Sequence, residues 1–312
     1  MPLRVLVTGG AGFIGSHLVT RLLDHKCEVV VLDDLSTGVK DNVDDRVLGF
    51  EVCDVTNETA VNLWVRKFYP DIVVHAAAKL GIQRTNEDPL GTLDSTVLGT
   101  INVLRAIRNT GYSKLIYISS SAVYGHAAPV PTTEYMDTAP NWPYGVAKLC
   151  AEHYVRSTAH QYGLKSVILR PFNVYGPRQD GSAYGFVVSR FINAMLEGRR
   201  PVIYGSGKQT RGFTYVDDCV DIITKTVLTP RADGETLNVG SGTEISVLDL
   251  GKKIAALCGT EFRPVHEPAR KDDVLNRAPD PDKCDRYLGP LKNTSLDEGL
   301  AKTIDWYKNK KQ

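Results

Sequence analysis

"VLVTGGAGFIGSHL", residues 5–18, runs from an apolar β-like stretch through closely spaced glycines into an amphipathic, helix-like stretch. Gly9, Gly12 and Gly15 stand three residues apart. At a strand-to-helix turn each has its own use. The first lets the chain reverse tightly, the second lets backbone approach a pyrophosphate, and the third lets helix pack on strand. Amides of the first helical turn, at Phe13 and Ile14, then face the phosphates. A glycine triplet alone is a weak signal, but here it lies directly between a β-run and a helix. The next apolar run, "VVVLDD" (29–34), ends in Asp33 and Asp34, with Asp33 eighteen residues after Gly15. A carboxylate there accepts from a ribose 2′-hydroxyl and repels a 2′-phosphate, favouring NAD over NADP. After a third strand-like run, Asp54 and its neighbour Val55 offer an adenine contact; a solvated loop aspartate is the competing reading.

Outward from this loop, short runs rich in Val and Ile recur at Leu3–Val7, Glu28–Leu32, Asp71–His75, Lys114–Ser119 and Ser166–Leu169. Runs of that kind suit strands buried on both faces of a parallel sheet. Between two of them, Leu93, Val97, Ile101, Leu104 and Ile107 are spaced as one stripe of a helix. Strand–helix alternation over about 170 residues predicts an α/β fold with a Rossmann-type, doubly wound parallel sheet. After Arg170-Pro171 the rhythm breaks, and Pro and Gly cluster at 176–185, 198–207, 230–242 and 259–268. The expected organisation is a nucleotide-binding domain over 1–172, with segments near 212–242 returning to it. Residues 173–312 then form mainly a smaller substrate-binding domain.

The totals fit that scheme. The chain has 312 residues, 42% apolar and 23% charged, as in ordinary globular proteins. A net charge of +1 gives no electrostatic footprint for nucleic acid or an acidic membrane. Cysteines 27, 53, 150, 219, 258 and 284 are scattered without metal-like spacing. They read as small buried residues in a reducing compartment, and no metal site is expected. No apolar run approaches the length of a bilayer span. The reading is of a cytoplasmic protein.

"PYGVAK" (143–148) places Tyr144 and Lys148 four positions apart on one helical face. A phenol titrates near 10, so it is a poor base at neutral pH unless something holds its anion. On spacing alone such a pair is unremarkable, because i,i+4 pairs are common.

Five motifs in order change that: "TGGAGFIG", "HAAA" (75–78), "SSSAVYG" (119–125), "PYGVAK" and "LRPFNVYGPRQ" (169–179). Together they resemble the extended short-chain dehydrogenase/reductase family, and within it the NAD-dependent nucleotide-sugar epimerases of the UDP-glucose 4-epimerase type. The resemblance runs from Leu3 to "LDEGLAKTIDWY" (296–307). It implies NAD as cofactor, with Ala76, Ala77, Lys79, Thr96 and Ser119 beside it. It implies that Tyr144 is the catalytic base, while Lys148 holds the nicotinamide ribose and stabilises the phenolate. An ammonium and a positive nicotinamide ring would lower the phenol pKa toward neutrality. A serine after the fifth strand would hydrogen-bond the sugar. It is Ser120 if aligned from "VYG", the alignment preferred here, and Ser121 if aligned from the strand.

On the substrate side the resemblance implies contacts from Asn173, Val188, Tyr204 and Arg211, and from Arg270 and Asp273 in "PARKDDV" (268–274). Paired arginines suit a diphosphate because each guanidinium is a planar fork. Three positions depart from the usual pattern: Thr96 replaces an asparagine, Lys79 replaces a glutamine and adds positive charge, and Arg277 replaces a small residue beside the sugar. Arg277 reads either as a salt-bridged rim arginine or as a wall of the sugar pocket. Relatives that dehydrate or decarboxylate the sugar carry acidic residues where this chain has Ser121-Ala122. Epimerisation at C4 of a nucleotide sugar, UDP-glucose/UDP-galactose first, is therefore expected, with UDP-glucuronate as an alternative. Expected too is a homodimer built on the helices bearing Leu93–Ile107 and Tyr144–Tyr162. A non-catalytic NAD-binding scaffold is disfavoured, because a sensor has no need of a base.

Overall fold

A computed structural model describes residues 1–110, 113–126, 128–182, 185–269, 274–290 and 292–310. The first half alternates β1 (Arg4–Thr8), α1 (Phe13–Asp24), β2 (Glu28–Asp33), β3 (Gly49–Val52), α2 (Glu58–Phe68) and β4 (Ile72–His75). A helical stretch follows, made of α3 (Ile82–Glu87), α4 (Pro89–Leu93), a π-helical turn (Asp94–Leu98) and α5 (Gly99–Thr110). Then come β5 (Lys114–Ile118), a 3₁₀ turn (Ser121–Tyr124), α6 (Pro143–Tyr162) and β6 (Ser166–Pro171). Beyond them lie β7 (Val174–Tyr175), α7 (Val187–Leu196), β8 (Val202–Tyr204), β9 (Thr210–Gly212), β10 (Thr214–Tyr215), α8 (Val216–Leu228) and β11 (Thr236–Val239). The remainder is β12 (Glu244–Ser246), α9 (Val247–Cys258), β13 (Val265–Glu267), β14 (Asn276–Arg277), α10 (Asp282–Leu288) and α11 (Leu296–Lys310).

Seven strands form one parallel sheet in the order β11-β6-β5-β4-β1-β2-β3. The order reverses around β1, the doubly wound pattern. Successive strand residues feed opposite layers, as the pleat requires. Val5, Val7, Val29 and Val31 pack with Leu18 and Leu22 of α1 and with Val220 and Ile223 of α8. Leu6, Val30 and Leu32 pack with Val61 and Val65 of α2, Leu104 and Ile107 of α5, and Val155 of α6. Burial on both faces explains why these strands read as continuous apolar runs rather than alternating ones. Late in the chain, α8 and β11 join this sheet side, while β8/β13 and β9/β12/β14 form small sheets of their own.

One expectation changes here. The Leu93–Ile107 stretch is not one regular stripe: Leu93 is 49% exposed while Leu104 and Ile107 are buried. The π-helical turn at Asp94–Leu98 adds a residue to the winding. The apolar face therefore shifts after it, bringing Asn102, Val103 and Ala106 inward. Among the described residues, no helix is long and apolar enough to cross a membrane.

Candidate functional site

A cavity of about 640 Å³ opens at the C-terminal ends of the parallel strands, between the sheet and the late-chain sheets. That is where doubly wound folds bind ligands. Its floor is the glycine loop. Gly9 has φ +72°, and a Cβ there would lie 2.7 Å from the amide nitrogen of Ala77. A Cβ on Gly15 would collide with the Gly9 carbonyl oxygen. Gly12 caps α1 without any side-chain acceptor, and Gly12, Phe13, Ile14 and Gly15 all line the cavity. The cradle therefore has glycine where side chains would intrude and a helix N-terminus facing the opening.

Asp33 and Asp34 stand at one end, with Asp54 and Val55 beside them. Asp33 accepts from the amides of Ala11, at 2.9 Å, and Leu35, at 2.8 Å. Burial nevertheless holds its carboxyl above the ordinary range, against the pull of those amides. Ala76, Ala77 and Lys79 form the adjoining wall. The Lys79 ammonium donates to Asp88 Oδ2 at 2.5 Å, so the positive charge expected of it is paired. Thr96 is fully buried in the π-helical turn and is not among the lining residues. The loop chemistry, the helix N-terminus and the acidic end fit a dinucleotide without a 2′-phosphate.

At the centre, Tyr144 and Lys148 project from α6, which starts at Pro143 and ends at Gly163 in the left-handed conformation. Both line the cavity beside Ser119, Ser121, Ala122 and Trp142. Ser120 caps the 3₁₀ turn, its hydroxyl accepting from the Ala122 amide at 3.1 Å, and it stands near the Tyr144 phenol, whose rise it opposes. The two candidate serines thus have different places: Ser120 stands near the phenol, and Ser121 faces the cavity.

In the protein alone, the Lys148 ammonium donates to the Ile118 carbonyl at 2.6 Å and lies 6.0 Å from the Tyr144 ring centroid. Burial pushes the phenol up to about 12, with Ser120 opposing, and brings Lys148 down to about 7. Desolvation penalises both charged forms, and the ammonium is spent on backbone rather than on the phenol.

The opposite wall carries Asn173, Val188, Tyr204, Arg211 and Arg277. Asn173 has φ +39°, a conformation asparagine tolerates, and its amide donates to the carbonyls of Gly212, at 3.0 Å, and Arg277, at 3.4 Å. It thereby clamps β9 to β14. Arg270 and Asp273 lie outside the described residues. Several lining residues escaped the sequence reading. Arg190 stacks over the Tyr204 ring at 5.4 Å, and Trp142, Phe191 and Phe213 add apolar wall. Arg190 stands three residues after Val187 on α7, and both line the cavity. Among the described residues there is no cluster of metal-ligating side chains.

Comparisons with known proteins agree with this geometry. Residues 5–240 match the model of the NAD dependent epimerase/dehydratase family. A UDP-glucose 4-epimerase of Mycolicibacterium smegmatis is 36% identical, over 99% of this chain and 100% of that protein. A UDP-N-acetyl-alpha-D-glucosaminuronate decarboxylase of Bacillus cytotoxicus is 34% identical, over 99% and 98%. The crystal structure of the Thermotoga maritima UDP-glucose 4-epimerase with UDP-glucose superposes with a TM-score of 0.96 at 34% identity, over 99% of this chain and 100% of that one. The Thermus thermophilus UDP-glucose 4-epimerase in complex with NAD gives 0.92 at 33% identity, over 98% and 99%. A dinucleotide cradle, a tyrosine–lysine helix and end-to-end similarity to these enzymes have one common source: the chain belongs to the NAD-dependent epimerase/dehydratase family of extended short-chain dehydrogenases/reductases, enzymes of nucleotide sugars that use NAD.

Proposed function

We propose that this enzyme inverts C4 of a nucleotide sugar, with UDP-glucose and UDP-galactose as its substrate pair. One observation carries the choice of reaction. The wall beside Tyr144 is Ser119, Ser121, Ala122 and Trp142, and no glutamate is among the described lining residues. Loss of water or of carbon dioxide needs a further proton-transferring group at the sugar, and the Ala122 methyl cannot serve.

NAD, when bound, supplies the acceptor and donor of the C4 hydride. The residues of the chain do the rest. Tyr144 takes the 4-hydroxyl proton and later returns it, with Ser120 nearby favouring the ionised phenol. Ser121 faces the sugar from the cavity wall. Lys148 lines the cavity one helical turn from the phenol, where its charge favours the ionised form. Arg211 holds the diphosphate, together with Arg270, so that the flat 4-keto sugar can turn about that anchor and present its other face.

A second reading, epimerisation of UDP-glucuronate, is favoured by the guanidinium of Arg277 on the cavity wall, a fork suited to a carboxylate. The test is direct. Purified protein is incubated with UDP-glucose, then separately with UDP-glucuronate, and the C4 epimers are resolved. Release of a pentose sugar nucleotide or a 4-keto-6-deoxy sugar instead would overturn the assignment.

A further inference from the structure

Helix α6 carries three ionisable residues one turn apart: Tyr144, Lys148 and Glu152. The first two line the cavity, whereas Glu152 is fully buried beneath it. Its carboxylate accepts from Ser119 Oγ at 2.6 Å, from Arg170 Nε at 2.9 Å and Nη2 at 2.7 Å, and from Arg156 Nη2 at 2.7 Å. Arg170, on β6, is 3% exposed, and its remaining nitrogen donates to Tyr124 Oη at 2.8 Å. Tyr124 donates in turn to Asn238 Oδ1 on β11 at 2.7 Å. Meanwhile Lys148 donates to the carbonyl of Ile118. Two consecutive residues at the end of β5 are thus tied to α6, Ile118 through Lys148 and Ser119 through Glu152. Ser120 and Ser121 follow immediately.

Stability is a weak reason for such a pair, since apolar replacements of buried ion pairs are often neutral or better. We propose that Glu152, held by Arg170, is a positioning residue that sets the Tyr144–Lys148 face against the end of β5 and supplies the carboxylate charge facing Lys148. Its catalytic meaning rests on Tyr144 and Lys148 serving the reaction proposed above. The groups around Lys148 leave this part to Glu152. His75, from β4, is held neutral, its imidazole brought down to about 3 by burial. Tyr117, from β5, offers a neutral ring 4.9 Å from the ammonium, with its phenol raised well above its ordinary range. Tyr144 is neutral when its phenol is raised. Arg170 and Arg156 face Glu152 rather than Lys148, Tyr124 stays protonated beside Arg170, and Glu134 is bound at the far end to the Asn238 amide. Burial lowers Lys148, and Glu152 is the charge that opposes the fall.

The test titrates Lys148 itself by NMR in protein labelled with ¹³C at lysine Cε, the signal assigned with Lys148→Arg. Glu152→Gln should lower the midpoint by about half a pH unit or more. It should also reduce kcat more than it changes KM, with the alkaline limb of the rate profile moved to lower pH. Arg156→Gln, which removes only the rim contact, should leave the midpoint in place. An unchanged midpoint in folded Glu152→Gln overturns the proposal. If that variant does not fold, Glu152→Gln with Arg170→Gln replaces both charges by amides, and the same drop is expected because Glu152, not Arg170, acts on Lys148. Should wild type turn over neither sugar nucleotide, the reaction assignment fails, while the Lys148 titration still decides the role of Glu152.

Discussion

Arg277 and Arg211 are register partners on the neighbouring parallel strands β14 and β9, and both line the cavity. Partners in register leave a sheet on the same face, so two guanidinium groups share one wall. Their directions differ. Arg211 donates back to the carbonyls of Thr210, at 2.8 Å, and Leu275, at 3.3 Å, whereas Arg277 reaches across to the Gly125 carbonyl at 2.5 Å. Gly125 ends the 3₁₀ turn that follows Ser120, so Arg277 bridges the late-chain wall and the serine turn.

That bridge predicts a sugar preference. A charged, donor-rich group spanning the cavity occupies space that an N-acetyl substituent would need and welcomes hydroxyls or a carboxylate. Wild type should favour UDP-glucose/galactose or UDP-glucuronate over UDP-N-acetylglucosamine. Arg277→Ser should raise relative activity on the acetylated sugar. Comparing both proteins on the three substrates checks this, and a wild type that prefers the acetylated one ends the idea.

Tyr144→Phe should fold and bind NAD normally yet lose at least about 10²-fold in turnover, the lower range for a positioned acid–base. The phenol oxygen is all that changes, and Ser120 keeps its bond from the Ala122 amide. Near wild-type epimerisation by the variant would remove Tyr144 from the role of base.

Much of this was legible in the residue order. The glycine loop, the doubly buried strands and the Tyr144–Lys148 face follow from local spacing, because turns and helical faces are set by near neighbours. The π-helical turn at Asp94–Leu98 was not legible, since its extra residue of winding moves the buried face while Leu93, Val97, Ile101, Leu104 and Ile107 keep the spacing of a regular stripe. Nor was the pairing of Glu152 with Arg170. Arg170 reads as the polar end of "VILRP", and only the adjacency of β6 and α6 shows that its charge turns inward. The pairing of Lys79 was hidden for a similar reason: it lines the cavity as expected of a cofactor-side residue, but its partner Asp88 lies nine residues on, across a turn.

Acid stability should report His75. Its imidazole is buried between Thr8 Oγ1, at 2.6 Å, and Thr100 Oγ1, at 3.1 Å, and burial lowers its pKa from 6.5 to about 3. Between those values the unfolded chain takes a proton that the folded one refuses. Stability is therefore lost as pH falls from 6.5 toward 3, at up to about 1.4 kcal/mol per pH unit from this group. His75→Gln, though less stable at neutral pH, should show a shallower decline across that window in urea titrations. Parallel slopes for the two proteins would exclude His75 as the source.

NAD should be the nucleotide released when purified protein is denatured. Asp33 faces the acidic end of the cavity, and a 2′-phosphate there would meet a carboxylate. Asp33→Asn keeps an acceptor for the Ala11 amide and removes the charge, so discrimination against NADP should weaken. Recovery of NADP from the wild type would contradict the assignment of Asp33.

The last prediction concerns a second copy of the chain. Helices α4 and α6 lie together, and both leave large apolar side chains exposed. Leu90 is 75% exposed, Leu93 49%, Val146 50%, Tyr154 45% and Tyr162 51%. Apolar residues scattered singly need no explanation, but Leu90 and Leu93 on one helix and Val146 and Tyr154 on the helix packed against it offer apolar area to a second copy. The same two helices hold the π-helical neighbour of the cofactor wall and the Tyr144 face, so an identical partner docked there would stiffen both. A homodimer is expected, with helices of the two copies packed side by side. Light scattering at micromolar concentration should give twice 34.3 kDa. Leu90→Glu with Tyr154→Glu, both outside the cavity lining, should shift the mass toward monomer while the secondary-structure signal stays intact. A wild type that scatters as a monomer would show that this face meets water, and the apolar stripe would then need another cause.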